Sequence, residues 1–289
     1  MIEFLKASWE LTKPRLTRMV VMTAICGAAV APGSLSGTSW LALCFGSWAI
    51  VAAANAMNCF YERDVDALME RTKDRPLVTG RLGPSFAFWA SLVLASLAIL
   101  ALYFGTNLLT AFLGFLGFLL YVGIYTPLKR FSMSAIFVGA IPGAIPPVMG
   151  WTGVTGKIEM GAGILFAILF FWQLPHFIAI SLNRLNDYES AGLKTVPGTL
   201  GSNQALKHML AYTALLILCS LLPYPMGLAG LLYVWATGLL GILFVGLCIA
   251  GFLKVVHLNW NRLIFIGSLI YLPIILGVWV LDNWLNLPS

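Results

Sequence analysis

Runs of roughly 18 or more apolar residues recur along the whole chain, and no other feature constrains its fold as strongly. A run of that length crosses the ~30 Å hydrocarbon core of a bilayer as a helix. Inside lipid every backbone polar group must find its partner within the protein, which helices achieve segment by segment. Only 10% of the 289 residues are charged and 60% are hydrophobic, against about 25% charged in an average soluble domain. A soluble chain of this length could not hide so much apolar surface, so the bilayer is its expected solvent. The net charge of +6 does not point to nucleic acid, because the cations lie in short connections between apolar runs and not along one face. Cys26, Cys44, Cys59, Cys219 and Cys248 lack CxxC spacing and read as small buried hydrophobes.

The runs predict transmembrane helices at about 17–36, 40–60, 85–104, 107–126, 133–152, 161–182, 206–223, 227–252 and 263–282. The expected fold is therefore an all-α integral membrane protein of about nine helices in one bundle around a central cavity, a single polytopic domain over 1–289. The first run contains Ala29-Val30-Ala31, which imitates a signal-peptidase site. Pro32 directly after it and the length of the run argue against cleavage, so the segment is kept as the first helix. Gly105-Thr106-Asn107 leaves room only for an antiparallel hairpin. Pro142, Pro146 and Pro147 are tolerable in a membrane helix because neighbours can satisfy the freed carbonyls. With the N-terminus in the cytoplasm, all of the 17 Lys and Arg residues except Lys157 fall on the inner side, Lys254 and Arg262 included. That asymmetry follows the positive-inside rule and puts the C-terminus outside.

Acidic residues concentrate in two of the inner connections. Glu62, Asp64, Asp66, Glu70 and Asp74 lie in the first, Asp187 and Glu189 in the second. Asn58, Glu62 and Asp66 are spaced i, i+4, i+8, which stacks them on one face if the second helix continues through them. Like charges at that spacing repel, so helix stability does not explain them, whereas a shared hard cation such as Mg²⁺ would. Asn183 and Asp187 repeat the Asn-xxx-acid spacing at the end of the sixth helix. Each cluster is followed by basic residues, a pattern suited to acids for metal and cations for a diphosphate. The bland alternative for either cluster is a solvated loop with internal ion pairs.

The segments NCFYERDVDALMERTKDRPL (58–77) and NRLNDYESAGLKTVP (183–197) resemble the two Asn/Asp-rich motifs of the UbiA-type intramembrane prenyltransferases. LTKPRL (11–16), YTPLKR (125–130), IPGAIPPVMGW (141–151) and FWQLPHF (171–177) are similar to the branch that farnesylates protohaem IX. The resemblance implies transfer of farnesyl from farnesyl diphosphate to a vinyl group of haem b with addition of water. It implies Mg²⁺ bridging carboxylates and diphosphate, with Asn58, Glu62, Asp66, Asn183 and Asp187 as metal ligands, directly or through water. Asn58, Glu62, Asp66 and Asp187 are then the expected catalytic set. Arg71, Lys73, Arg75, Lys129, Arg130 and Lys194 are the expected diphosphate-binding cations. His176, which follows Pro175 inside the sixth helix, is expected to contact haem. An intramembrane ionisable residue is in any case a functional candidate, and the alternative is a hydrogen bond to a carbonyl freed by Pro175. His208 and His257 read as interfacial histidines. The chain departs from the family at Asn186, where a second acid is usual; Glu189 is the residue placed to compensate. The resemblance further implies a bacterial plasma membrane and, downstream, haem A synthase or terminal-oxidase assembly.

Two other functions fit parts of this pattern. A prenyltransferase acting on an aromatic quinone precursor would share the metal and diphosphate residues but has no use for His176. A non-catalytic membrane carrier of haem or ions would place its acids near the bilayer midplane, whereas here they lie at helix ends.

Overall fold

A computed structural model describes residues 1–253 and 259–286. Lys254 and His257, expected in the last inner connection, and the C-terminal Ser289 lie outside the described residues. The described residues form helices joined by turns and loops, with no strand among them: α1 (Ile2–Leu11), α2 (Pro14–Ala29), α3 (Gly37–Tyr61), α4 (Arg63–Leu68), α5 (Pro84–Gly105), α6 (Leu108–Leu119), α7 (Thr126–Leu128), α8 (Ala135–Thr155), α9 (Met160–Asn183), α10 (Leu185–Ser190), α11 (Val196–Leu200), α12 (Ser202–Leu221), α13 (Leu231–Leu253) and α14 (Trp260–Asn286). A π-helical turn, Leu120–Tyr125, joins α6 to α7 so that they run as one apolar span.

Eight helices among the described residues are long and apolar enough to cross a membrane. The chain is a multi-pass membrane protein. Of the nine spans expected, the first falls short. In place of 17–36 the helix is α2, Pro14–Ala29, with 16 residues or about 24 Å at 1.5 Å per residue. Pro14 starts it early, as proline favours the first helical turn, and the Pro32-Gly33 pair, with Gly33 at φ 120°, prevents its extension. Large apolar side chains such as Trp89, Phe104, Trp235 and Ile242 stand exposed on the other spans, where lipid is their natural contact.

Two compact units divide the chain. The first comprises Met1–Ile158 with Asn186–Lys194, the second Glu159–Leu185 with Thr195–Ser289. In the first, α2 lies against α8 backbone to backbone. A Cβ on Gly150 would stand 1.9 Å from the Ala24 carbonyl oxygen, and one on Gly27 would stand 2.0 Å from that of Pro147. Without a hydrophobic driving force in lipid, such small-residue contacts are what hold membrane helices together. They anchor the helix that Lys13 immediately precedes. At the α5–α6 hairpin the Asn107 side chain caps α6 through Thr110 N–H at 2.9 Å and donates to the Thr152 carbonyl of α8 at 2.7 Å.

The second unit packs α9, α12, α13 and α14. Its buried core includes Tyr233, Tyr271 and Trp279. Asp282 of α14 is also buried, and its two carboxylate oxygens accept the backbone N–H groups of Gly230 and Tyr233 at the start of α13. The Trp279 indole donates to the Leu228 carbonyl at 2.8 Å just before that start.

Candidate active site

Helix α3 does not continue unbroken through the first motif, the condition set for the stacking, and its end agrees with the expected span of 40–60. It ends at Tyr61, Glu62 leaves helical geometry (φ −104°, ψ 9°), and α4 begins at Arg63. The stacking survives the break, because Glu62 N–H still donates to the Asn58 carbonyl at 3.0 Å and Asp66 N–H to that of Glu62 at 2.7 Å. Asn58, Glu62 and Asp66 thus sit on successive turns, all buried to 2% exposure or less.

Each of the three meets its own cation, drawn from a different element. Lys13 Nζ donates to Asn58 Oδ1 at 2.8 Å. Lys129 Nζ pairs with Glu62, and Arg75 bonds Asp66 Oδ2 at 2.5 Å. Burying a carboxylate is costly unless a charge accompanies it, so the fold has to deliver these cations. Arg75 arrives on the turns after α4, which Thr72 fixes by donating its hydroxyl to the Asp66 carbonyl at 2.8 Å. Lys129 follows the π-helical turn, a feature frequent at functional sites, and lies over the Tyr125 ring. Arg130 is spent otherwise: it clasps Asp64 with two bonds of 2.9 and 2.8 Å and the Tyr61 carbonyl with a third. That clasp holds Asp64 below the usual carboxylate range, the Arg130 hydrogen bond being the chief cause.

Lys13 was absent from the expected cation set. It is the one non-glycine residue with positive φ among the described residues (φ 49°, ψ 63°), a conformation that costs on the order of 1 kcal/mol. Buried Asn55 and Thr17 hold the turn: Asn55 Nδ2 donates to the Thr12 carbonyl at 3.2 Å, and Thr17 Oγ1 donates to the same carbonyl at 2.7 Å. Burial lowers the Lys13 pKa below its ordinary value, with Glu62 among the groups that oppose the shift. The signal that could have found it was the Lys-Pro pair in LTKPRL.

The segment Asn186–Lys194 belongs to the same unit and covers α4. Leu193 and Tyr188 pack with Val65 and Met69, and Lys194 N–H donates to the Lys129 carbonyl at 3.2 Å. Asp187 on this segment is half-buried, while Asn186, Glu189 and the Lys194 side chain are exposed. Burial raises the Tyr188 pKa, with Arg71 the first group to oppose it, so the Arg71 charge is felt in this packing. Three expected residues take other positions. Asn183 is exposed and donates its amide to Ala179 of its own helix at 2.9 Å. Lys73 forms a solvent-exposed pair with Glu70, and Arg130 clasps Asp64 as described.

Oxygen donors suit a hard cation such as Mg²⁺. Asp66 Oδ1 is buried without a hydrogen-bond partner among the described residues, which leaves it able to take one. Among the described residues no three His, Cys, Asp or Glu side chains come together to hold an ion alone. Phosphate and water oxygens would have to complete the shell, which is the usual state of protein-bound Mg²⁺.

In the second unit His176 is buried in α9. Its ring stacks against Trp172 at 4.8 Å and Phe265 at 5.1 Å between centroids, and Nδ1 lies 2.8 Å from Ser268 Oγ. The polar contact of Nδ1 is thus with α14 and not with a carbonyl freed by Pro175.

The UbiA prenyltransferase family matches residues 20–281. A protoheme IX farnesyltransferase of Myxococcus xanthus is 44% identical over 274 residues, covering 95% of this chain and 93% of the relative. One of Sorangium cellulosum is 45% identical over 252 residues, covering 87% and 88%. Among solved structures, a UbiA homologue from Archaeoglobus fulgidus bound to GPP and Mg²⁺ superimposes with a TM-score of 0.72 at 16% identity, covering 96% of this chain and 98% of that one. Its fold is shared at an identity too low to carry residue roles. By the family match and by the identity to its relatives along nearly their whole length, the chain belongs to the UbiA prenyltransferase family.

Proposed function

We propose that the protein transfers the farnesyl group of farnesyl diphosphate to a vinyl group of haem b, adding water and releasing diphosphate. The observation that carries this reading is the matched series in the first unit: three buried oxygen donors, each facing a cation from a separate element. Acids and cations that neutralise one another in the free protein are the two groups a metal diphosphate needs. Relatives named protoheme IX farnesyltransferase along nearly the whole chain support the acceptor, and the Mg²⁺ in the A. fulgidus homologue supports the metal.

In this reading Glu62, Asp66 and Asn58 hold Mg²⁺, with Asp187 contributing from the covering segment. Bound there, the ion would neutralise charge on the diphosphate as it leaves. Lys13, Arg75 and Lys129 turn from their carboxylate and amide partners to phosphate oxygens, with Arg71 and Lys194 at the exposed edge. The C1–O bond of the farnesyl ester breaks with its electron pair on the diphosphate, and donors already aimed at that charge lower the barrier. The vinyl terminal carbon attacks the allylic cation, water captures the cation left on the haem side chain, and a proton is released. His176 contacts haem in the apolar interior of the second unit.

We further propose one functional domain over 1–289 with the N-terminus cytoplasmic, in a bacterial plasma membrane, and a product consumed by haem A synthase or oxidase assembly. The charge asymmetry supports that orientation, and a reporter inserted near Asp74 should read the cytoplasm. The acceptor is tested by incubating purified protein with farnesyl diphosphate, Mg²⁺ and either haem b or 4-hydroxybenzoate. Hydroxyethylfarnesyl haem in the mass spectrum is expected. A prenylated aromatic with untouched haem would overturn the reading.

A further inference from the structure

The hydrogen bonds around His176 bear on which ring nitrogen carries the proton. Ser268 has one hydroxyl hydrogen, and its Oγ lies 2.6 Å from the Phe265 carbonyl as donor, one helical turn back in α14. A carbonyl can only accept, so that hydrogen is committed. The contact of 2.8 Å between Ser268 Oγ and His176 Nδ1 therefore needs its hydrogen from the imidazole. Both residues are buried, Ser268 to 0% and His176 to 8% exposure. Ser268 is further fixed because its own carbonyl accepts the Trp172 indole N–H at 2.7 Å. Trp172 and Phe265 stack against the ring at interplanar angles of 19° and 27°, which sets its plane.

We propose that Ser268 is a positioning residue that holds His176 in the Nδ1–H tautomer and so presents the Nε2 lone pair as an electron donor in the apolar interior. A neutral imidazole with Nδ1–H bound to an oxygen acceptor is one form in which histidine ligates metals, through Nε2, and the bond to the second nitrogen fixes both tautomer and orientation. The ligand class follows: a group with an open axial position on iron, as a haem has. This last step rests on the haem reading above; the tautomer assignment does not.

The two are separable by experiment. The chain has three histidines, so the full-length protein labelled with ¹⁵N-histidine in lipid nanodiscs gives a small set of signals, and His176→Gln identifies those of residue 176. The expected result is a protonated Nδ1 and an unprotonated Nε2, with that preference lost in Ser268→Ala. A protonated Nε2 in the unaltered protein, or an unchanged signal in Ser268→Ala, would overturn the proposal. Titration with haem b then reads the ligand step. Ser268→Ala should weaken haem binding on the order of tenfold, as loss of a ligand's supporting hydrogen bond does, and displace the Soret band. If His176→Gln itself leaves the haem spectrum unaltered, haem ligation is wrong while the tautomer result stands. If His176→Gln alters the spectrum and Ser268→Ala does not, the positioning role is wrong while haem ligation stands.

Discussion

Asp66 and Asp282 are equally buried, each 1% exposed, yet their surroundings give them different work. Asp282 receives two backbone N–H groups at the start of α13. Those donors are fixed by the helix they open, and a carboxylate there satisfies orphan N–H groups and meets the positive end of the helix dipole. Asp66 receives the guanidinium of Arg75 on one oxygen and keeps the other without a hydrogen-bond partner among the described residues. A guanidinium on a long side chain can turn to another anion, whereas a helix start cannot. Burial of an acid does not by itself mark function; an exchangeable partner and a spare oxygen do.

That contrast can be broken by substitution. Glu62→Gln, which removes a charge opposite Lys129, should lower farnesyl transfer by roughly 10²–10³, the cost of losing one group aimed at developing charge, with the protein still folded in detergent. Near-normal turnover would move Glu62 to the side of Asp282. The converse variant, Asp282→Ala, should cost about 1–2 kcal/mol of stability, as lost helix caps do, read as a lower melting midpoint. Its activity per folded molecule should be unchanged, and a selective loss of activity would give Asp282 a role the cap does not explain.

The clasp between Asp64 and Arg130 sharpens the comparison from the exposed side, with the smallest effect. Solvent-exposed pairs contribute less than about 1 kcal/mol, so Asp64→Asn should barely move the melting midpoint at neutral pH. Since Arg130 depresses the folded pKa of Asp64 below its ordinary 3.8, the contribution is complete above that value and fades as pH falls through the folded pKa. The wild-type advantage over Asp64→Asn should therefore vanish in acid; an advantage that grew there would contradict the pairing.

The spans were legible because hydropathy is a local property, and α2 was misjudged where Pro14 and Pro32-Gly33, not hydropathy, set its ends. The acids of the candidate site were legible from the spacing of Asn58, Glu62 and Asp66, since a helix converts spacing into a shared face. Their cations were harder to read. Charge sign and proximity put Lys73 on the same footing as Arg75, although one ends in solvent beside Glu70 and the other against Asp66. Lys13 reaches Asn58 from 45 residues away through a left-handed turn, and only the Lys-Pro pair in LTKPRL hints at it. His176 stood out as an ionisable residue in an apolar run, while Ser268, 92 positions on, looked like any small residue in a membrane helix.

On the proposed function, the paired acids and cations of the first unit exchange one another for metal and diphosphate during farnesyl transfer. That exchange is tested most directly on Asp66→Asn, which keeps the size of the side chain and removes its charge. Cells lacking any other such enzyme are given either the wild-type chain or the variant at equal membrane abundance, and their extracted haems are weighed by mass spectrometry. Hydroxyethylfarnesyl haem is expected with the wild-type chain and only haem b with Asp66→Asn. Equal amounts of farnesylated haem from both would contradict that exchange.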